Sequence, residues 1–311
     1  VSAGKALLPT GTQATMAVLS QQVESAQKAL AGGAAAGGLE SAALEVYALL
    51  ESVSRSLYGN YGAALNIYNL PTSLMAAVTA AVIPAVSGAL ARRDRRGAAK
   101  VAGSAMRISA LVAFPMGVGL FVLGTPIIRL LFTKLNANLA GPLLSTLGLA
   151  TVFVCMMLVC NSILQAHGFV SLPVLVMIVG GALKIFTNYN LVGRPSVGIY
   201  GAPAGNILCF GLCLVLDLIL IARVIPRRPR YLEIFLKPFL ASLLMGGAAW
   251  AVYGLLSRVL SRVPAGGTEA VLSRSGNTLA TLLAIGVAIT VYGVLAVALR
   301  AISRDDLALM P

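Results

Sequence analysis

Charge is scarce in this sequence. Only 11% of its 311 residues are Asp, Glu, Lys or Arg, against about 25% in a soluble globular domain. So few charges cannot coat a soluble fold of this size, which excludes an ordinary cytosolic enzyme. Acidic residues are the scarcest, ten against 23 Lys and Arg, and there is one histidine, His167. A lone histidine leaves no Ser–His–Asp set, and the sequence holds no phosphate-binding glycine loop, no His–Glu metalloprotease pattern and no usefully spaced carboxylate pair. The chain is therefore expected to be no enzyme, no primary ATPase by itself, and to need no cofactor or metal. Cysteine is limited to Cys155, Cys160, Cys209 and Cys213, all inside apolar runs. They read as small core residues rather than a disulfide framework.

What is abundant is apolar: 58% hydrophobic residues and a mean hydropathy of +0.90. Seven continuous hydrophobic runs, at about 62–91, 107–132, 142–167, 170–192, 199–223, 235–257 and 277–299, each supply the ~20 residues that a bilayer-crossing helix needs. Continuous rather than alternating runs predict helices. The fold class expected is an all-α, polytopic integral membrane bundle. The net charge of +13 would suggest nucleic acid in a soluble protein, but here it suits anionic lipid headgroups and topology. No nucleic-acid partner is expected. The loops around 92–107 and 223–237 and the C-terminal tail hold more Lys and Arg than those around 129–134, 184–194 and 258–274. This places the first set, and the C-terminus, in the cytoplasm.

Residues 1–57 differ, mixing Ala, Gly, Gln and Glu. Short helices are expected at about 13–30 and 40–56, the second amphipathic and facing solvent. The glycine–alanine stretch 31–38 between them has no anchoring side chain and is expected to be mobile. The organisation predicted is a partial helix and extracytoplasmic loop (1–57), a bundle (58–225), and a terminal helix pair with a short tail (226–311).

Polar groups at membrane depth are costly and mark candidate sites. Asn66 and Asn69, three apart before Pro71, share a helix face and suit sugar hydroxyls. Arg107 opens the second run and Arg129 lies near its far end; arginine matches phosphate geometry. Asn161, Gln165 and His167 close the third run. Lys184, well inside the fourth, is followed one turn later by Asn188, and Asp217 lies toward the end of the fifth. A lysine so placed faces protein or water more cheaply than lipid. Prolines recur in or beside the runs (Pro71, Pro84, Pro115, Pro126, Pro142, Pro173, Pro203), as in transporters with kinked helices.

Several strings fall into a familiar order: Leu57-Tyr58-Gly59-Asn60-Tyr61-Gly62, Asn69-Leu70-Pro71, Ile83-Pro84-Ala85-Val86-Ser87 and the basic loop Ala91-Arg92-Arg93-Asp94-Arg95-Arg96. They continue with Phe114-Pro115, Pro126-Ile127-Ile128-Arg129-Leu130-Leu131-Phe132, Leu164-Gln165-Ala166-His167-Gly168, Lys184 with Asn188, and Gly198-Ile199-Tyr200-Gly201-Ala202-Pro203. This order resembles the stage V sporulation protein B and polysaccharide biosynthesis branch of the multidrug/oligosaccharidyl-lipid/polysaccharide flippase superfamily. The resemblance implies two six-helix lobes and a terminal pair in a MATE-like fold, of which this chain is the second lobe and the pair. The first lobe would be the missing N-terminal part of the same polypeptide.

The resemblance also implies export of an undecaprenyl-linked oligosaccharide or peptidoglycan precursor, such as lipid II, across a bacterial plasma membrane by alternating access. Its partners would be that lipid-linked oligosaccharide and membrane lipids, in sporulation or general wall assembly. The substrate-binding residues expected are Arg107 and Lys184 for phosphate, with Asn188 beside them, and Asn66, Asn69 and Gln165 for sugar or gating. Residues 1–56 depart from the pattern, being less apolar than the family's corresponding helix. Two rivals remain: a cation-coupled multidrug exporter of the same fold, which needs an acidic cavity, and a non-transporting membrane scaffold.

Overall fold

The computed structural model describes residues 36–132, 135–194, 197–225, 231–262, 271–272 and 274–298. Among the described residues seven α-helices run in order: α1 (Ala36–Ala91), α2 (Arg95–Leu131), α3 (Ala137–Ala166), α4 (Ser171–Val192), α5 (Gly201–Val224), α6 (Tyr231–Leu260) and α7 (Arg274–Ala298). All seven contain a stretch long and apolar enough to cross a membrane. The chain is an all-α polytopic membrane protein, and strand among the described residues is confined to one short pair. Ser261–Arg262 (β1) pairs antiparallel with Val271–Leu272 (β2) beyond α6.

Helix α1 corrects one expectation. Residues 40–56 are not a separate helix: α1 is continuous over 56 residues, roughly 84 Å at 1.5 Å per residue. No proline interrupts it before Pro71. Asn60 Nδ2 returns to the Ser56 carbonyl at 2.7 Å, and Glu51 pairs with Arg55 one turn on, so the polar stretch continues the apolar one. Of the run 31–38, residues 36–38 begin α1 and the rest lies outside the described residues, as does the segment 13–30.

The turn from α1 to α2 is tight. Arg93 takes a left-handed conformation (φ 58°), and the Asp94 carboxylate accepts the Gly97 N–H at 2.8 Å, capping α2. Arg92, Arg93, Arg95 and Arg96 are all exposed around this turn. Asn136 caps α3 in the same way, accepting from the Asn138 N–H at 3.1 Å.

Helix α3 is apolar all round and the most enclosed of the seven, which is why it sits at the centre. It packs on α1, α2 and α5. Its seam with α2 is made by glycines seven apart on each helix. A Cβ on Gly117 would lie 2.8 Å from the Gly148 carbonyl oxygen, and one on Gly124 would lie 2.9 Å from that of Gly141. Only hydrogen fits where the two backbones touch. One core joins α1 to α5 around Met75, Met106, Leu144, Met156 and Ile163. A second forms where α6 and α7 dock on α2, around Leu123, Met245, Ala249, Ala284 and Ala288.

Candidate functional site

Helices α4 and α5 form an antiparallel pair held close by glycines. Gly205 leaves room for the Asn188 side chain, and a Cβ on Gly201 would lie 2.8 Å from Leu191 Cβ. Gly180 admits Cys213 of α5, whose thiol donates to the Val176 carbonyl at 3.5 Å. The four cysteines are unpaired and buried, filling space in this seam and in α3. Helix α1 packs on α2 and α3 and stands off from α4 and α5. The gap between them is a groove of about 1320 Å³ at the end of the bundle opposite the Arg92–Arg96 turn.

The wall from α1 carries Tyr58, Tyr61 and Tyr68; the wall from α4 carries Lys184, Asn188 and Asn190; α5 supplies Asn206 and Phe210, and Arg194 stands in the turn between them. Lys184 Nζ lies 6.0 Å above the Phe210 ring, a spacing at which a cation is attracted to an aromatic face. The side chain of Asn206 faces Tyr61. The carboxamide oxygens of Asn188 and Asn206 are buried and accept no hydrogen bond among the described residues. An unpaired buried amide costs about 1–3 kcal/mol; the Asn188 oxygen packs against Gly205 in the α4–α5 seam, while Lys184 lines the groove as a cation that an anion would satisfy.

The six expected binding residues do not converge on one site. Lys184 and Asn188 meet in the groove. Asn66 and Asn69 are exposed on the face of α1 turned away from the bundle. Arg107 is half-buried on α2 and Gln165 exposed in the last turn of α3, and neither lines the groove. Asn161, one turn before Gln165, is 7% exposed with its carbonyl oxygen unpaired, so the two share a face but not an environment. His167 caps α3, its ring Nδ1 2.8 Å from the Ile163 carbonyl oxygen. Arg129 donates to Asn138 Oδ1 at 3.0 Å and ties α2 to α3. Asp217 is fully buried on α5 beside Cys160 of α3, both oxygens unpaired, and lines no part of the groove.

Sequence reading missed Asn206 and Tyr61 as groove residues. The available signal for Asn206 was a carboxamide one turn after Pro203 inside an apolar run; Tyr61 had been read only as part of a motif.

Residues 47–263 match the model of the family described as lipid II flippase MurJ. The match begins within α1 and runs through α6 and β1. No curated protein matches the chain.

Proposed function

The chain belongs to the lipid II flippase MurJ family, and from that premise we propose that it moves an undecaprenyl-linked, glycosylated precursor of the lipid II type across the bacterial plasma membrane by alternating access. Members of this family are flippases rather than enzymes. The chain supplies the second lobe and the terminal helix pair, and a first lobe from the same polypeptide closes the transport path. The exposed face of α1 bearing Asn66 and Asn69 is the wall turned toward that lobe. The basic turn Arg92–Arg96 and the C-terminus lie in the cytoplasm, and the α1–α4–α5 groove opens toward the outer leaflet.

The observation that carries this reading is the groove: a half-buried lysine over an aromatic ring beside two carboxamides. A pyrophosphate is an anion bearing no donors of its own, and the sugars attached to it carry hydroxyl and amide donors. Lys184 and Arg194 take the first; Asn188 and Asn206 take the second. Arg107, on the cytoplasmic side, meets the phosphates before transport, and Gln165 lies at the same edge. The multidrug-exporter reading needs a carboxylate in the cavity, and Asp217 is packed away from the groove.

Complementation of a flippase-depleted strain by the full-length protein tests this. Lys184→Ala is expected to fail while reaching the membrane at normal levels, and Lys184→Arg to retain part of the activity. Full complementation by the alanine variant at normal expression would remove the groove lysine from substrate handling.

A further inference from the structure

Helix α2 is interrupted twice by proline, and α7 meets it at both interruptions. Pro115 has no N–H, so the Leu111 carbonyl loses its helical donor. The Tyr292 hydroxyl of α7 donates to that carbonyl at 2.6 Å. Near Pro126 the helix bends, with Leu123 outside helical geometry (φ −101°, ψ 15°). Asn277, near the start of α7, donates from Nδ2 to the Pro126 carbonyl at 3.3 Å. Its own Oδ1 accepts from the Tyr253 hydroxyl of α6 at 2.9 Å.

Leu111 to Pro126 and Asn277 to Tyr292 are equal lengths of chain, and the two ties pair the start of one stretch with the end of the other. Helix α7 therefore lies antiparallel along α2, fastened on either side of the bend. Between the ties the second core fills the angle, and α6 comes so near that a Cβ on Gly246 would lie 2.6 Å from Val118 Cγ1. Lifting the hairpin away would leave the Leu111 carbonyl without a donor, facing lipid tails that offer none.

We infer that α6 and α7 form a splint that fixes the bend of α2 and travels with the α1–α5 bundle as one body, so that the relative motion of transport occurs at other faces of the lobe. The inference rests on alternating access for its transport readout but not for its structural one. Val118→Cys combined with Gly246→Cys, in full-length protein with its native cysteines replaced by alanine, places two thiols within crosslinking reach. After oxidation, translocation of fluorescent lipid II in proteoliposomes is expected to stay within twofold of the reduced sample. Loss of transport on oxidation, restored by reductant, would show that the hairpin moves and would overturn the splint.

The second arm needs no activity. Tyr292→Phe is expected to speed amide exchange across 108–122 at least tenfold while α3 is unchanged; unchanged exchange across α2 would overturn the inference. If even the reduced double-cysteine protein and its parent fail to move lipid II, the flippase reading fails, and the exchange arm still decides the splint.

Discussion

The α2–α3 side of this bundle and its α1–α4–α5 side treat proximity in opposite ways, and the second borders a groove. On the first, glycines at 117, 124, 141 and 148 bring backbones into contact, and the Leu111 and Pro126 carbonyls receive donors from residues far along the chain. On the second, α1 stands off, and the oxygens of Asn188 and Asn206 are buried without donors. Buried unpaired polar atoms also occur away from the groove, at Ser109 of α2, Asn161 of α3, Asp217 of α5 and Ser242 of α6, so an unpaired group points to a ligand only where it also lines the groove. The location of unsatisfied groups, rather than polarity alone, thus separates structural side chains from candidate binding ones. Arg129, engaged by Asn138, falls on the structural side of that line, and Asn206 on the other.

The comparison is broken most violently at the glycine seam. A Cβ on Gly148 would lie 2.6 Å from the Phe121 nitrogen, so Gly148→Leu must force α2 and α3 apart. A loss of about 3 kcal/mol or more is expected, read as a sharply lowered thermal transition in detergent and poor membrane yield. Gly211→Ala, on α5 with nothing within 4 Å of the added carbon, is expected to be neutral in the same assay. A mild Gly148→Leu would mean that the seam is loose after all.

Tyr292→Phe removes one hydroxyl and orphans a carbonyl. It is expected to cost about 1–3 kcal/mol, visible as a lower unfolding midpoint, although the volume lost is small. Asn206→Leu does the reverse. It replaces an amide whose oxygen is unpaired, at the loss of its contact with Tyr61, by an apolar group of similar size, so stability is expected to hold within about 1 kcal/mol while lipid II translocation falls at least tenfold. A parallel fall in both would make Asn206 a packing residue and erase the distinction between the two sides. The smallest effect is expected at Arg55→Ala, where an exposed pair with Glu51 is removed: about 0.3–0.5 kcal/mol, at the limit of a thermal scan.

The helices were legible in the sequence because a bilayer imposes one demand on every span, some twenty apolar residues in a row. Their ends were less so. Residues 36–50 form no uninterrupted apolar run, being broken by Glu40 and Glu45, yet they continue α1, since a helix needs no hydrophobic run to go on, only the absence of a break. The groove was half legible. Lys184 and Asn188 stand out because charge and amide are rare at that depth and lie one turn apart on a single helix. Arg107, Asn66, Asn69 and Gln165 stand out for the same reason but occupy other faces, because spacing along one helix carries no information about which neighbours it meets. The ties to Leu111 and Pro126 were hidden for a related cause. Pro115 announces that the Leu111 carbonyl is disturbed, but its donor Tyr292 lies 181 residues away, and nothing local marks the Pro126 carbonyl as a partner for Asn277.

The Arg92–Arg96 turn has a mechanical consequence. Four guanidinium groups fan out from a bend locked by the left-handed Arg93 and by Asp94. In the proposed orientation the turn faces the anionic cytoplasmic leaflet, where each cation would contribute about 1 kcal/mol, so drawing this corner into the hydrocarbon, or lifting it away from the headgroups, would cost several. The corner is thereby anchored at one depth, and tilting of α1 and α2 pivots there. A small rotation about such a fulcrum grows with distance along α1 and is largest at its far end, beyond the groove.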